Sequence, residues 1–247
     1  LALAALLLCA AAAHAEMTLD EVLAKHLEAR GGKQSIQAVD SARITGSMSM
    51  GGMEVPVVFE WKRPDLVRME FVVQGQTGIQ AYDGETAWMY MPFMGKTEPE
   101  GMPEEQARDM KEQADFDGPL VDYQQKGHAL ELLGKEEVEG TDAYKLKLTK
   151  AGGDETIIYI DADHFLEIKS ESKRKQGDQE MEIETASGNY KQVGELVLPH
   201  SLQSQAKGAP AGAPAQVITI EKYELGVDIA AERFAMPEKA PAAEPQQ

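Results

Sequence analysis

The chain has one cysteine in 247 residues, Cys9, and it lies in the apolar opening stretch. Beyond that stretch no disulfide can form, and no thiol is on hand as nucleophile or metal ligand. Basic residues are scarce too: 24 Lys and Arg stand against 42 Asp and Glu, a formal net charge of −18. So acidic a balance excludes nucleic acid as a partner and excludes direct docking on anionic headgroups, since both need a basic face. Long apolar runs are missing apart from the opening LALAALLLCAAAAHA, which is shorter than the roughly 20 residues a membrane-spanning helix needs. No stable membrane insertion is expected. Histidines 26, 128, 164 and 200 lie far apart, and neither H-E-x-x-H nor G-x-S-x-G occurs. A metal site, a cofactor and an enzymatic activity are therefore not expected.

What is present begins with that opening run, which reads as a signal-peptide core closed by Ala13-His14-Ala15, an A-x-A cleavage site. Leu8 stands before Cys9 where a lipoprotein signal carries a small residue, so lipidation at Cys9 is disfavoured. The expected layout is a signal peptide over 1–15, cleaved after Ala15, one β-rich domain over 16–235, and a disordered Pro/Ala/Glu tail over 236–247. An exported chain without a mature cysteine suggests the periplasm.

Thr18-Leu-Asp-Glu21 is a capping box, and Leu19, Val22, Leu23, His26 and Leu27 recur at helical spacing until Gly31-Gly32. A short second helix is expected over 35–39. Strands follow near 42–50, 55–63, 66–73, 77–82 and 86–91, with turn chemistry at Gly51-Gly52, Arg63-Pro64-Asp65, Gly75 and Asp83-Gly84. The spacing then predicts a helix over 103–116 whose apolar stripe, Ala107, Met110 and Ala114, is narrow enough for a lightly seated cover. Further strands are expected near 129–138, 143–149, 155–161, 165–175, 178–191, 196–206 and 215–225. About twelve antiparallel strands, each apolar on one face, must curl to keep that face dry. The expected architecture is mainly β: a curved, incomplete antiparallel β-barrel of about 11–12 strands with a helical lid or plug.

Nine of the twelve methionines lie between Met48 and Met110, interleaved with Phe59, Trp61, Phe71, Trp88, Tyr90 and Phe93. Methionine is unbranched and polarizable, so a face rich in it adapts to varied apolar ligands. The candidate cavity lining is Met48, Met50, Val57, Phe59, Trp61, Met69, Phe71, Ile79, Trp88 and Tyr90, although the same alternation would also serve a closed core. Trp61 and Trp88 stand out as large amphipathic rings suited to a cavity mouth. The Gly- and Pro-rich stretch around Phe93, Met94 and Met102, together with Met110, suits a flap or lid. Lys173-Arg174-Lys175 is a basic knot beside a turn, and such runs are usually only solvated.

Several stretches resemble one family. They are HLEARGG (26–32), AYDGETAW (81–88), DFDGPLVDY (115–123), Val138-Glu139-Gly140 and IYID (158–161). Together the chain resembles the outer-membrane lipoprotein-sorting proteins, the LolA/LolB-like periplasmic carriers. The resemblance implies a curved half-barrel closed by helices around an apolar cavity. It implies a binding or carrier protein, in the manner of a chaperone, for lipoprotein acyl chains or other lipids. The alternative is a lipid- or lipoprotein-sensing module working with a membrane partner. Partners implied are an inner-membrane ABC or RND-type transporter and an outer-membrane acceptor, with the chain itself a monomer. The basic residue that dedicated carriers hold near the cavity has no clear counterpart; Arg43 and Arg68 are nearest, and both are expected to point outward.

Overall fold

The computed structural model describes residues 17–50, 52–176, 179–210, 213 and 215–238, but not the side chains of Met50 or residues 174–180. The expected signal peptide, nearly all of the expected tail, and the side chains of Arg174 and Lys175 lie outside the described residues.

Helix α1 (Leu19–Ala29) starts at the capping box: the Glu21 N–H donates to Thr18 Oγ1, and the Thr18 N–H donates to Glu21 Oε2 at 2.8 Å. Helix α2 (Lys33–Gln37) follows directly. The strands of the first half are β1 (Ser41–Met50), β2 (Met53–Lys62), β3 (Leu66–Val73), β4 (Gln76–Tyr82), β5 (Ala87–Met91) and β6 (Lys96–Gly101). Helix α3 (Glu104–Gln113) precedes β7 (Ala129–Val138), β8 (Thr141–Thr149), β9 (Glu155–Asp161), β10 (Glu167–Gln176) and β11 (Gln179–Gly188). A small separate hairpin, β12 (Lys191–Val193) and β13 (Leu196–Leu198), leads to β14 (Ser201–Ala206) and β15 (Gln216–Leu225).

Thirteen strands form one antiparallel sheet in the order β6-β5-β4-β3-β2-β1-β15-β14-β11-β10-β9-β8-β7. The chain starts the sheet at its middle, builds outward to β6, then returns from the far edge at β7. Strand β6 was not expected, since Lys96-Thr-Glu-Pro-Glu-Gly101 carries a proline and has no apolar alternation. It survives because it is an edge strand, where the missing N–H of Pro99 leaves no partner wanting. The expected strands over 178–191 and 196–206 are each shorter: the first ends before Asn189, at positive φ, and the second is broken at Pro199-His200.

The sheet curls without closing. Helix α3 packs on β3–β5, near one edge, through Met110 and Ala114 against Val67, Tyr82 and Ala87. The same helix meets the turn between β8 and β9, near the other edge, where Lys150 pairs with Glu112 and Arg108 lies 3.3 Å from Asp154. One short helix can touch both margins only if they are brought round toward each other. A bulge between Thr45 and Gly46 helps bend the middle. There a Cβ on Gly46 would lie 2.1 Å from the Thr219 carbonyl oxygen, so β1 and β15 cross too closely for any side chain.

Three clusters fill the inside of the curl at one end. Val22 of α1 packs on Tyr144, Leu146, Leu148, Ile158 and Ile160. Ile36 of α2 packs with Ala42, Val121, Leu196 and Leu198, and α3 adds the third. Arg63 braces the second of these, donating to both oxygens of Asp117 and to the carbonyls of Val39 and Ile36. All of this lies where β1 begins and β2 ends. At the opposite end, around the β1–β2 and β3–β4 turns, no helix covers the sheet among the described residues. The outer face carries its own cover: residues 227–236 run across it, with Ile229 and Phe234 buried.

Candidate functional site

Strand register assigns every side chain to a face, because directly paired residues point the same way and neighbours alternate. Ala42 and Ile44, packed under the helices or beside them, pair with Trp61 and Phe59; Met48 pairs with Val55, and Gly46 with Val57. Val57, Phe59 and Trp61 pair in turn with Phe71, Met69 and Val67. Met48, Val57, Phe59, Trp61, Met69 and Phe71 therefore share the inner face. The backbone of Met50 continues that register, although its side chain lies outside the described set.

Ile79, Trp88 and Tyr90 fall on the other face. Phe71 pairs with Gly78 and Glu70 with Ile79, and Ile79 and Ala81 pair with Tyr90 and Trp88. These three side chains form an outer cluster with Ala81. The Trp88 indole donates to the Phe234 carbonyl at 2.7 Å, and the Arg68 guanidinium lies over its ring. Arg68 and Arg43 both point outward, as expected, but Arg68 is buried there: it donates to Glu70 at 2.8 Å and to the Arg233 carbonyl at 3.0 Å. Arg43 is half exposed, against buried Glu60. Glu60 and Glu70 both receive Arg233, so the outer strap is held by ion pairs as well as by apolar burial.

On the inner face, Met48, Phe59, Met69 and Phe71 remain partly exposed although they sit in the middle of a broad curled sheet, as do Leu202 and Ile218 on β14 and β15. An inward-facing side chain that still meets solvent is only partly covered by its own chain. These residues line a trough, apolar along β1–β3 and floored by β14 and β15. At its closed end lies a cavity of about 180 Å³, lined by Ile36, Ile44, Trp61, Phe116, Leu198 and Tyr223 among others. Phe59 stacks on Trp61, and Trp61 meets Phe116 edge-on. The Trp61 indole also donates to the Gln113 carbonyl at the end of α3, 2.7 Å away.

The flap residues divide. Phe93, in the 3₁₀ turn Pro92–Met94, folds back onto the inner face and meets Phe71 edge-on at 5.7 Å. Gly78 makes this possible: a Cβ there would lie 2.7 Å from Phe93 and 2.8 Å from Phe71. Met94 points out, 68% exposed. Met102 packs beneath α3 and Met110 is buried in it, so α3 is seated by a real, if small, apolar contact. A second cavity of about 530 Å³ lies between α3 and the β8–β9 turn, lined by Arg108, Lys111, Glu112, Lys126, His128 and Lys150 among others.

Titratable groups near the closed end are tuned by burial. Burial pushes the His26 imidazole down to about 4, and its Nδ1 bonds the Phe165 carbonyl at 2.8 Å. Burial raises the Glu167 carboxyl against the opposing pull of Arg30. Tyr190 and Tyr223 are raised for the same reason, and their hydroxyls donate to the carbonyls of Glu167 and Pro199. No group of three or more His, Cys, Asp or Glu placed to hold a metal ion occurs among the described residues.

No family model matches the chain, and no curated protein matches it. Solved structures do, and they define the class: this is the LolA/LolB-like fold, an open, curved antiparallel half-barrel with helices inside. A LolA-superfamily protein from Nitrosomonas europaea superposes with a TM-score of 0.59 at 14% identity, covering 89% of this chain and 98% of its own. A putative outer-membrane lipoprotein-sorting protein domain from Vibrio parahaemolyticus gives 0.58 at 12% identity, covering 87% and 94%. A DUF1329-family protein from Desulfovibrio piger gives 0.58 at 14%, covering 87% and 96%.

Proposed function

We propose that the chain is a periplasmic carrier that holds the acyl chains of lipids or lipoproteins in its trough and does no chemistry on them. The observation that supports this most is the inner row Met48, Phe59, Met69 and Phe71, apolar, inward-facing and left partly uncovered. Uncovered apolar surface inside a folded protein is costly unless something else fills it. Burying a methylene is worth about 0.8 kcal/mol, so eight of them offer about 6 kcal/mol before ordering costs are subtracted. Two or more chains would bind tightly enough that release requires the cover to move. Helix α3 and the Phe93 turn are the covers in place. A membrane transporter loading the carrier and an outer-membrane acceptor unloading it complete the proposed cycle.

Native mass spectrometry of protein purified without detergent tests the reading. The expected result is a co-purifying mass that fragments to fatty acyl species. A spectrum showing only the bare polypeptide, unchanged on incubation with phospholipid vesicles, would overturn it.

A further inference from the structure

The trough is not apolar all round. Ser170 of β10 pairs with Thr185 of β11, Thr185 with Ser204 of β14, and Ser204 with Gln216 of β15. Ser170 also pairs with Ile158, which packs beneath α1 and so fixes the row on the inner face. Four consecutive strands thus present hydrogen-bonding side chains at one level across the trough. Ser170, Thr185 and Ser204 are partly exposed and Gln216 is exposed. Because the sheet curls, this row faces the apolar wall formed by β2 and β3.

Internal bonds use up only part of the row: the Ser170 hydroxyl is held by the buried Glu167 carboxyl beside it. The Thr185 and Ser204 hydroxyls lie 2.9 Å apart, so one donates to the other. Each hydroxyl brings one hydrogen and two lone pairs, which leaves one of the two hydrogens free. Gln216 spends one amide hydrogen on the Met48 sulfur, where the row meets the methionine wall, and keeps the other. A purely hydrocarbon occupant would bury these donors unpaired, which costs more than the bonds are worth when made. An occupant carrying acceptors at that depth would satisfy them.

We propose that Thr185, Ser204 and Gln216 form a specificity row that receives the ester or amide carbonyls at the base of a lipid's acyl chains, with the hydrocarbon lying against Phe59, Met69 and Phe71. This rests on the carrier reading and deepens it: the preferred ligand is an acyl lipid with carbonyl linkages, not free hydrocarbon or an ether lipid. A free glycerolipid and the acylated end of a lipoprotein share that chemistry.

The test uses the full chain stripped of lipid and loaded with a fluorescent fatty acid, displaced in parallel by dipalmitoylglycerol, its di-O-hexadecyl ether counterpart, and a diacylated lipopeptide. The wild type is expected to prefer the diester over the diether by about tenfold, roughly one hydrogen bond's worth. The Thr185→Val/Ser204→Ala double variant is expected to bind both alike, and Thr185→Ser to keep the preference. Should the double variant fail to fold, Ser204→Ala alone carries the comparison. Equal binding of both lipids by the wild type, or an undiminished preference in the variant that removes the hydroxyls, would overturn the row while leaving the carrier intact. Failure of the fatty acid and of both lipids to bind would overturn the carrier reading itself. The lipopeptide identifies the source: tighter binding than the free diester points to a lipoprotein, weaker binding to a glycerolipid, and either upholds the row.

Discussion

The indoles of Trp61 and Trp88 each hold a covering segment by a 2.7 Å bond to a backbone carbonyl, but from opposite faces of the sheet. Trp61 points inward and fastens the end of α3 at Gln113. Trp88 points outward, fully buried, and fastens the C-terminal strap at Phe234. One segment closes the trough and the other closes the back of the sheet, so the two tryptophans should answer differently to the same substitution.

Replacing each by phenylalanine keeps a ring and removes the N–H. Trp88→Phe leaves the Phe234 carbonyl unpaired in a buried setting, at a cost of about 1–3 kcal/mol of global stability, visible as a lower denaturant midpoint with lipid uptake unchanged. Trp61→Phe releases a helix end that water can reach. Its expected effect is faster amide exchange in Glu104–Gln113 with little change in the midpoint. The same exchange pattern in both variants would contradict the division of roles.

Protonation of His26 sets a limit in acid. Burial holds its folded pKa near 4, whereas an unfolded histidine titrates near 6.5. Between those values the unfolded chain binds the proton and the folded chain does not, so stability rises with pH there. The contribution is complete above about 6.5 and is lost as pH falls toward 4, by up to about 3 kcal/mol. Urea midpoints at pH 7 and pH 4.5 should therefore differ more in the wild type than in His26→Phe. Equal differences would contradict this.

Gly78→Ala should unseat Phe93. The new Cβ would lie within 2.8 Å of both Phe71 and Phe93, and the ring in the short 3₁₀ turn yields more easily than the one on β3. Faster amide exchange over 92–95 and faster uptake of a fluorescent fatty acid are expected, with less than about 1.5 kcal/mol lost in stability. Unchanged exchange and uptake would show that Phe93 is not a cover.

Salt should loosen α3. Lys150–Glu112 and Arg108–Asp154 are both substantially solvent-exposed, so each is worth at most about 1 kcal/mol and is screened at high ionic strength. Raising sodium chloride to about 1 M should quicken amide exchange in α3 while leaving α1 unaffected, since α1 is held by apolar burial. Equal response of the two helices would contradict the clasp.

Much of this fold was legible in the sequence because one-sided strands advertise themselves. Thr18-Leu-Asp-Glu21 started a helix as expected, and clean alternation such as Tyr144, Leu146 and Leu148 located β8. Alternation fails where both faces are covered. Ile79, Ala81, Tyr82, Ala87, Trp88, Met89 and Met91 are all buried, some under α3 or the Phe93 turn and some under the C-terminal strap. Without a polar face the pattern in β4 and β5 carries no parity, and Ile79, Trp88 and Tyr90 were grouped with residues they oppose. A signal was available: Gln74-Gly75 is a two-residue turn pairing Val73 with Gln76. Counting through it places Gly78, Gln80 and Tyr82 inside. The polar row on β10, β11, β14 and β15 was hidden for a different reason. Its successive members are 12 to 19 residues apart in sequence and meet only through strand order.

The most direct test of the central claim is equilibrium binding of a fluorescent fatty acid to the lipid-free chain, compared between wild type, Phe59→Asp and Met48→Glu, with denaturant midpoints measured alongside. Saturable binding by the wild type, lost in both variants while their midpoints stay within about 1.5 kcal/mol of it, is the predicted result. Variants that unfold outright, or that bind as the wild type does, would mean that these side chains fill a solid core or lie apart from any ligand, and would contradict the account.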